Sequence, residues 1–140
     1  MAFKIILDSN IILDLTLERS ADYLDLQKIY ENIVDGHLEC YTTSIIIQTS
    51  AYWIEKKKGV HSAKKILLAL LNDITVIEAP HGVIVSALYS NMPDIEDAVQ
   101  YYMAMHHNID AFISRDKEFI KSAMPKLPIY NPADFISKFF

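Results

Sequence analysis

Four aspartates in three separated segments have the types and settings that metal chemistry needs. Asp8 closes the apolar run Phe3–Leu7, Asp94 and Asp97 open an amphipathic stretch, and Asp116 ends Ile113-Ser114-Arg115-Asp116. Two carboxylates about 4 Å apart repel by a few kcal/mol at the effective dielectric of a protein, so a cluster requires a cation, a proton or intervening water. A hard divalent ion, Mg2+ or Mn2+, is the simplest remedy. Such an ion takes oxygen ligands, keeps several waters, and can bridge a phosphate oxygen while activating a water for in-line attack. The chemistry expected is metal-assisted phosphodiester hydrolysis, with Asp8, Asp97 and Asp116 as ligands directly or through water. Asp94 is either a further ligand or simply the N-cap of its helix.

These residues meet only if the fold brings them together. Phe3–Leu7 is a β-branched and aromatic run that reads as a buried strand feeding a helix at Asp-Ser-Asn. A helix is expected over about 21–34, starting near Ser20 and stopping at Gly36, and a strand over about 38–42. Thr43 or Ser44 caps a helix over about 45–58, on which Ile46, Ser50, Trp53 and Lys57 share a face before Gly59 stops it. Ala63, Ile66, Leu67, Leu70 and Leu71 then repeat at helical spacing, Ile74–Ile77 is a third strand, and Pro80 suits the first turn of a helix through Tyr89. After the Asp94 cap, Ile95, Ala98, Val99, Tyr102, Met103 and His106 mark an amphipathic helix. Ala111–Ile113 is a fourth strand, 117–122 a short helix, 127–130 a fifth strand, and Asn131-Pro132 begins the last helix. Strands alternating with helices define an α/β class: one domain over 1–140, with a mostly parallel central sheet of about five strands flanked by helices on both faces. In such sheets the reactive crevice lies beyond the carboxyl ends of the strands, where Asp8 and Asp116 fall.

Composition bounds the rest. The chain has 140 residues, of which 51% are apolar, enough to bury a core without metals or disulfides. A net charge of -5 argues against coating nucleic acid through bulk positive charge, so a polyanion must meet a local basic patch or a bound metal. Cys40 is the single cysteine, which suits a core side chain and a cytoplasmic protein. No apolar run is long enough to span a bilayer, so no membrane association is expected.

Other polar groups read as ordinary surface or packing. His106 and His107 are adjacent, so on a helix they diverge by about 100° and cannot share one ion. Lys56, Lys57, Lys58, Lys64 and Lys65 bracket Gly59 and read as solvated helix ends, with an RNA-facing patch as the alternative. Asp14 reads as a solvated helix acid.

Taken together, three segments resemble the PIN domain family, best known from VapC-type toxins of toxin–antitoxin pairs. They are Ile-Ile-Leu-Asp8-Ser-Asn-Ile-Ile-Leu-Asp14, Asp94-Ile-Glu-Asp97-Ala-Val-Gln, and Asp110-Ala-Phe-Ile-Ser114-Arg-Asp116-Lys-Glu-Phe119, followed by Asn131-Pro132-Ala-Asp-Phe135. The resemblance spans nearly the whole chain. It implies a metal-dependent endoribonuclease acting on RNA, restrained by an antitoxin protein and paired as a homodimer. By position, Asp8, Asp97 and Asp116 would be the metal-site acids, with Asn10 and Ser114 orienting them. Many relatives carry a further acid on the helix after the second strand, where this chain has Thr49. That departure leaves open a site completed by Asp94 or Glu96, or a noncatalytic PIN-fold binding or regulatory module. Covalent phosphoryl transfer on Asp8 is disfavoured, because Asn10 stands where such enzymes usually carry a second aspartate.

Overall fold

The computed structural model describes residues 2–19 and 22–140. Five strands form one sheet in the order β3-β2-β1-β4-β5: β1 (Phe3–Leu7), β2 (Leu38–Thr43), β3 (Ile74–Ile77), β4 (Ala111–Ile113) and β5 (Ile129–Tyr130). Every pairing is parallel, with Ile5 beside Cys40 on one side and Ala111 on the other. Parallel neighbours need crossover connections, and the helices supply them: α1 (Ser9–Leu17), α2 (Tyr23–Val34), α3 (Ser44–Lys58), α4 (Val60–Leu70), α5 (His81–Tyr89), α6 (Ile95–His106), α7 (Lys117–Lys121) and α8 (Pro132–Phe139). Ile5, Ile6 and Leu7 are all buried although successive strand side chains point to opposite faces, so the central strand is covered on both sides. The core around them includes Ile11, Ile12, Tyr101, Phe112, Phe119 and Phe135.

The order of strands places β1 and β4 side by side at the middle of the sheet. The ladder continues past both strand ends, with Asp8 N donating to Ile113 O at 3.0 Å and Ser114 N donating to Tyr130 O at 2.9 Å. The segments that carry Asp8 and Asp116 are therefore held in register by backbone bonds before any side chain contributes.

Several expected boundaries shift for identifiable reasons. The start expected near Ser20 and Ala21 lies outside the described residues, and α2 itself begins at Tyr23. Thr43, not Ser44, caps α3, its hydroxyl accepting from Ile46 N at 3.1 Å. Pro80 is the N-cap of α5 and lies outside its first turn. The buried face of α3 runs Ile46, Ser50, Ile54, whereas Trp53 is 48% exposed and Lys57 lies in solvent. Spacing permits either face; Ile54 wins because it packs with Leu13 of α1 and Ala63 of α4. The fifth strand is shorter than expected, because Pro128 has no N–H for the ladder and Leu127 N turns back to Met124 O at 3.1 Å. No described helix is long and apolar enough to cross a membrane.

Candidate active site

The carboxyl edge of the sheet gathers three acids from three elements. Asp8 follows β1 and caps α1, its Oδ1 accepting from Ser9 N at 2.7 Å. Asp116 follows β4 and caps α7, its Oδ1 accepting from Glu118 N at 3.0 Å and Phe119 N at 3.3 Å. Asp97 lies in the first turn of α6 beneath its cap Asp94, whose Oδ1 accepts from Asp97 N at 2.9 Å. Asp94 thus has the capping role and also contributes negative charge at the same place.

One hydroxyl ties two of the acids together. Ser114 is fully buried; its Oγ donates to Asp8 Oδ2 at 2.8 Å and accepts from Asp116 N at 3.1 Å. The hydroxyl thus donates one hydrogen bond and accepts another, roles that a methyl group could not fill.

The electrostatics show that these carboxylates feel one another. The Asp97 carboxyl is pushed up to about 7, first by partial burial and then by Asp94, Asp8, Asp116 and Glu96. Asp8 is raised mainly by burial and further by Asp116, against the lowering hydrogen bonds from Ser114 and Ser9. Among the described residues no lysine or arginine forms an ion pair with Asp8, Asp97 or Asp116. Asp94, Asp97, Asp116 and Glu118 line an open cleft of about 400 Å3.

Oxygen donors alone, excess negative charge, and a carboxyl that holds its proton to near neutrality for want of a countercharge fit a hard, hydrated divalent ion. Among the described residues no three acidic, histidine or cysteine side chains stand close enough to enclose an ion by themselves, so water would supply part of any coordination.

Some residues singled out by the sequence make no direct hydrogen bond to the three acids. Asn10 is exposed on α1 and makes no hydrogen bond to the acids among the described residues. Thr49 is half-buried on α3, likewise without a hydrogen bond to them. Asp110 sits at the opposite end of β4, where its carboxylate accepts from Lys4 N at 2.8 Å. The expectation of a solvated Asp14 is overturned: it is 1% exposed, with Arg19 Nε at 2.9 Å from Oδ1 and Arg115 Nε at 2.7 Å from Oδ2. Both guanidiniums offset the buried charge, but only Oδ1 accepts a hydrogen bond, from Arg19 Nε; Oδ2 has the Arg115 ion pair without hydrogen-bond alignment.

Two connections near the site had no sequence signal. Gln100, one turn beyond Asp97, is buried and accepts from Thr43 Oγ1 at 2.9 Å, joining α6 to the cap of α3. Tyr101 OH donates to Leu127 O at 2.6 Å and accepts from Met124 N at 2.8 Å, fastening the segment after α7. An ordinary Gln or Tyr in an amphipathic helix gives no notice of partners this far away in sequence.

Comparison with known proteins gives the arrangement a family. The chain is 23% identical over 143 residues to "Ribonuclease VapC1" of Aquifex aeolicus (strain VF5), covering 96% of this chain and 94% of that protein. A chain of the crystal structure of VapBC2 from Rickettsia felis bound to a DNA fragment from their promoter superposes with a TM-score of 0.69 at 14% identity, over 92% of this chain and 98% of that one. Mycobacterium tuberculosis VapC20, described as a Sarcin-Ricin loop cleaving toxin, superposes with a TM-score of 0.66 at 11% identity, over 87% of this chain and 97% of that one. Residues 4–118, which run from β1 through Asp116 into α7, match the family model of the PIN domain, and the chain belongs to that family.

Proposed function

We propose that this protein is a divalent-metal-dependent endoribonuclease, the toxin of a toxin–antitoxin pair, acting in the cytoplasm as a homodimer. The observation that carries the nuclease reading is the meeting of Asp8, Asp97 and Asp116 at one sheet edge, where partial burial, then Asp94, and then Asp8 and Asp116 push the Asp97 carboxyl up to about 7. RNA as substrate is supported by the ribonuclease and toxin names of the relatives. The antitoxin partner and the homodimer rest on the family resemblance.

In this reading Asp8, Asp97 and Asp116 hold Mg2+ or Mn2+, with Asp94 adding charge. When bound, the ion supplies positive charge that polarises the scissile phosphodiester and acidifies water. The chain's own groups do the positioning. Ser114 fixes the rotamer of Asp8 through its 2.8 Å bond and keeps Asp116 in register through the Asp116 N–H. Burial of Asp8 raises the free energy of its bare anion and so favours the state in which a cation is present. Asn10, exposed beside Asp8 on α1, is available to incoming substrate.

Thr49 motivates a second reading, a noncatalytic PIN-fold module, since it offers a hydroxyl where many relatives carry an acid. Titration with Mn2+ separates the two. The nuclease binds Mn2+ in a manner lost in Asp8→Asn and Asp97→Asn and cleaves RNA when loaded; the noncatalytic module shows neither.

A further inference from the structure

Arg115 stands immediately before Asp116, yet its side chain turns to the buried carboxylate of Asp14 on α1. Arg19 reaches the same carboxylate because α1 ends with Glu18 in the left-handed conformation at φ 51, which folds the chain back over the helix. One acid is thus shared by two guanidiniums, and the group carries a net single positive charge in a chain whose total is -5. Both contacts are made through Nε, and the two side chains remain 37% and 40% exposed. Arg19 Nε donates a hydrogen bond to Asp14 Oδ1, whereas Arg115 is held on Oδ2 by charge at 2.7 Å without an aligned hydrogen bond, so the planar guanidinium fork of Arg115 keeps its N–H donors for another anion. Its position is constrained from two directions: it is anchored to the helix that begins at Asp8 and belongs to the segment that delivers Asp116.

We propose that Arg115, held on Asp14, is a phosphate-binding residue that grips the backbone of a single-stranded RNA beside the acidic cleft. The inference rests on the nuclease reading and deepens it by naming how a net-acidic protein receives a polyanion. Asp14 serves as the positioning residue, since it fixes the fork without neutralising both arginines. Planar, bidentate donors suit a phosphate better than the flexible lysines elsewhere on the surface.

The test is binding of a labelled mixed-sequence RNA to the full chain in EDTA, where catalysis plays no part, followed by fluorescence anisotropy across a range of salt. Arg115→Gln is expected to lose roughly tenfold in affinity and to reduce the slope of log affinity against log salt by about 0.7, the contribution of one phosphate contact on a single strand. Arg115→Lys is expected to keep the salt slope and recover only part of the affinity. A variant-free arm uses phenylglyoxal on the unaltered protein: RNA should protect Arg115 from modification, as read by mass spectrometry of the peptide. Unchanged affinity in both folded variants, or no protection, overturns the inference while leaving the nuclease reading intact. An unaltered protein that binds no RNA in EDTA likewise overturns the inference, whereas the nuclease reading falls only if RNA stays intact with Mg2+ or Mn2+ present.

Discussion

Ser114 and Asp8, 106 residues apart in sequence, meet through a 2.8 Å hydrogen bond that joins the ends of two adjacent parallel strands. The same hydroxyl accepts from Asp116 N, so one side chain sets the spacing of two of the three acids. Ser114→Ala removes both bonds and leaves Asp8 Oδ2 without its donor. Cleavage is expected to fall by about 10- to 100-fold, as for other groups that orient metal-holding carboxylates. Stability is expected to fall by about 1–3 kcal/mol for an orphaned buried acceptor. Steady-state cleavage at saturating Mn2+ and urea unfolding check the two effects; a loss of stability with full activity would show that Ser114 serves the fold alone.

The raised carboxyl of Asp97 makes a signed prediction about pH. The folded protein keeps this proton up to about 7, while the unfolded chain releases it near 3.8. Between those values the unfolded state binds fewer protons, so stability in EDTA should decline as pH rises from about 4 to about 7 and then level off for this group. Asp97→Asn should remove that component of the slope. Because a cation competes with the same proton, apparent Mn2+ affinity should climb as pH passes through about 7. Urea unfolding with and without Mn2+, at several pH values, reads both effects. Wild-type and Asp97→Asn slopes that coincide would contradict the assignment.

Thr49 invites a gain-of-charge experiment. Restoring an acid with Thr49→Glu should tighten Mn2+ binding by roughly tenfold, since ligand charge count is a principal determinant of divalent affinity. Calorimetric titration of the two proteins measures the change. Unaltered affinity would place Thr49 outside the reach of the ion.

How much of this was visible beforehand follows from where the information lies. Asp8 and Asp116 are legible as strand-end acids because each follows a short apolar run, and the alternation of strands with helices brings those ends to one edge, although both also cap the helices that follow. Asp94 announces itself as an N-cap, and Asp97 follows three residues on, half-buried in the first turn. Asp14 is not legible. On α1 its neighbours in sequence are apolar on both sides, and whether it faces water or interior depends on Arg19 and Arg115 arriving from a helix reversal and from another strand. The same holds for α3, where Trp53 and Ile54 compete for one face and contacts from α1 and α4 decide it. Local periodicity fixes the element; packing partners fix which side of it is wet.

Cys40 illustrates a feature for which sequence and structure coincide. Its thiol is buried beside β1 and burial raises its pKa well beyond the ordinary range, which leaves an inert core side chain with no part in the chemistry.

The most direct test is cleavage of a mixed-sequence RNA by the purified chain with Mg2+ or Mn2+, beside EDTA and Asp8→Asn controls. Endonucleolytic products that appear with the ion and vanish with chelator and with Asp8→Asn are the predicted result. Intact RNA across a wide range of both ions, from protein shown to be folded, would contradict the nuclease reading and favour the noncatalytic module.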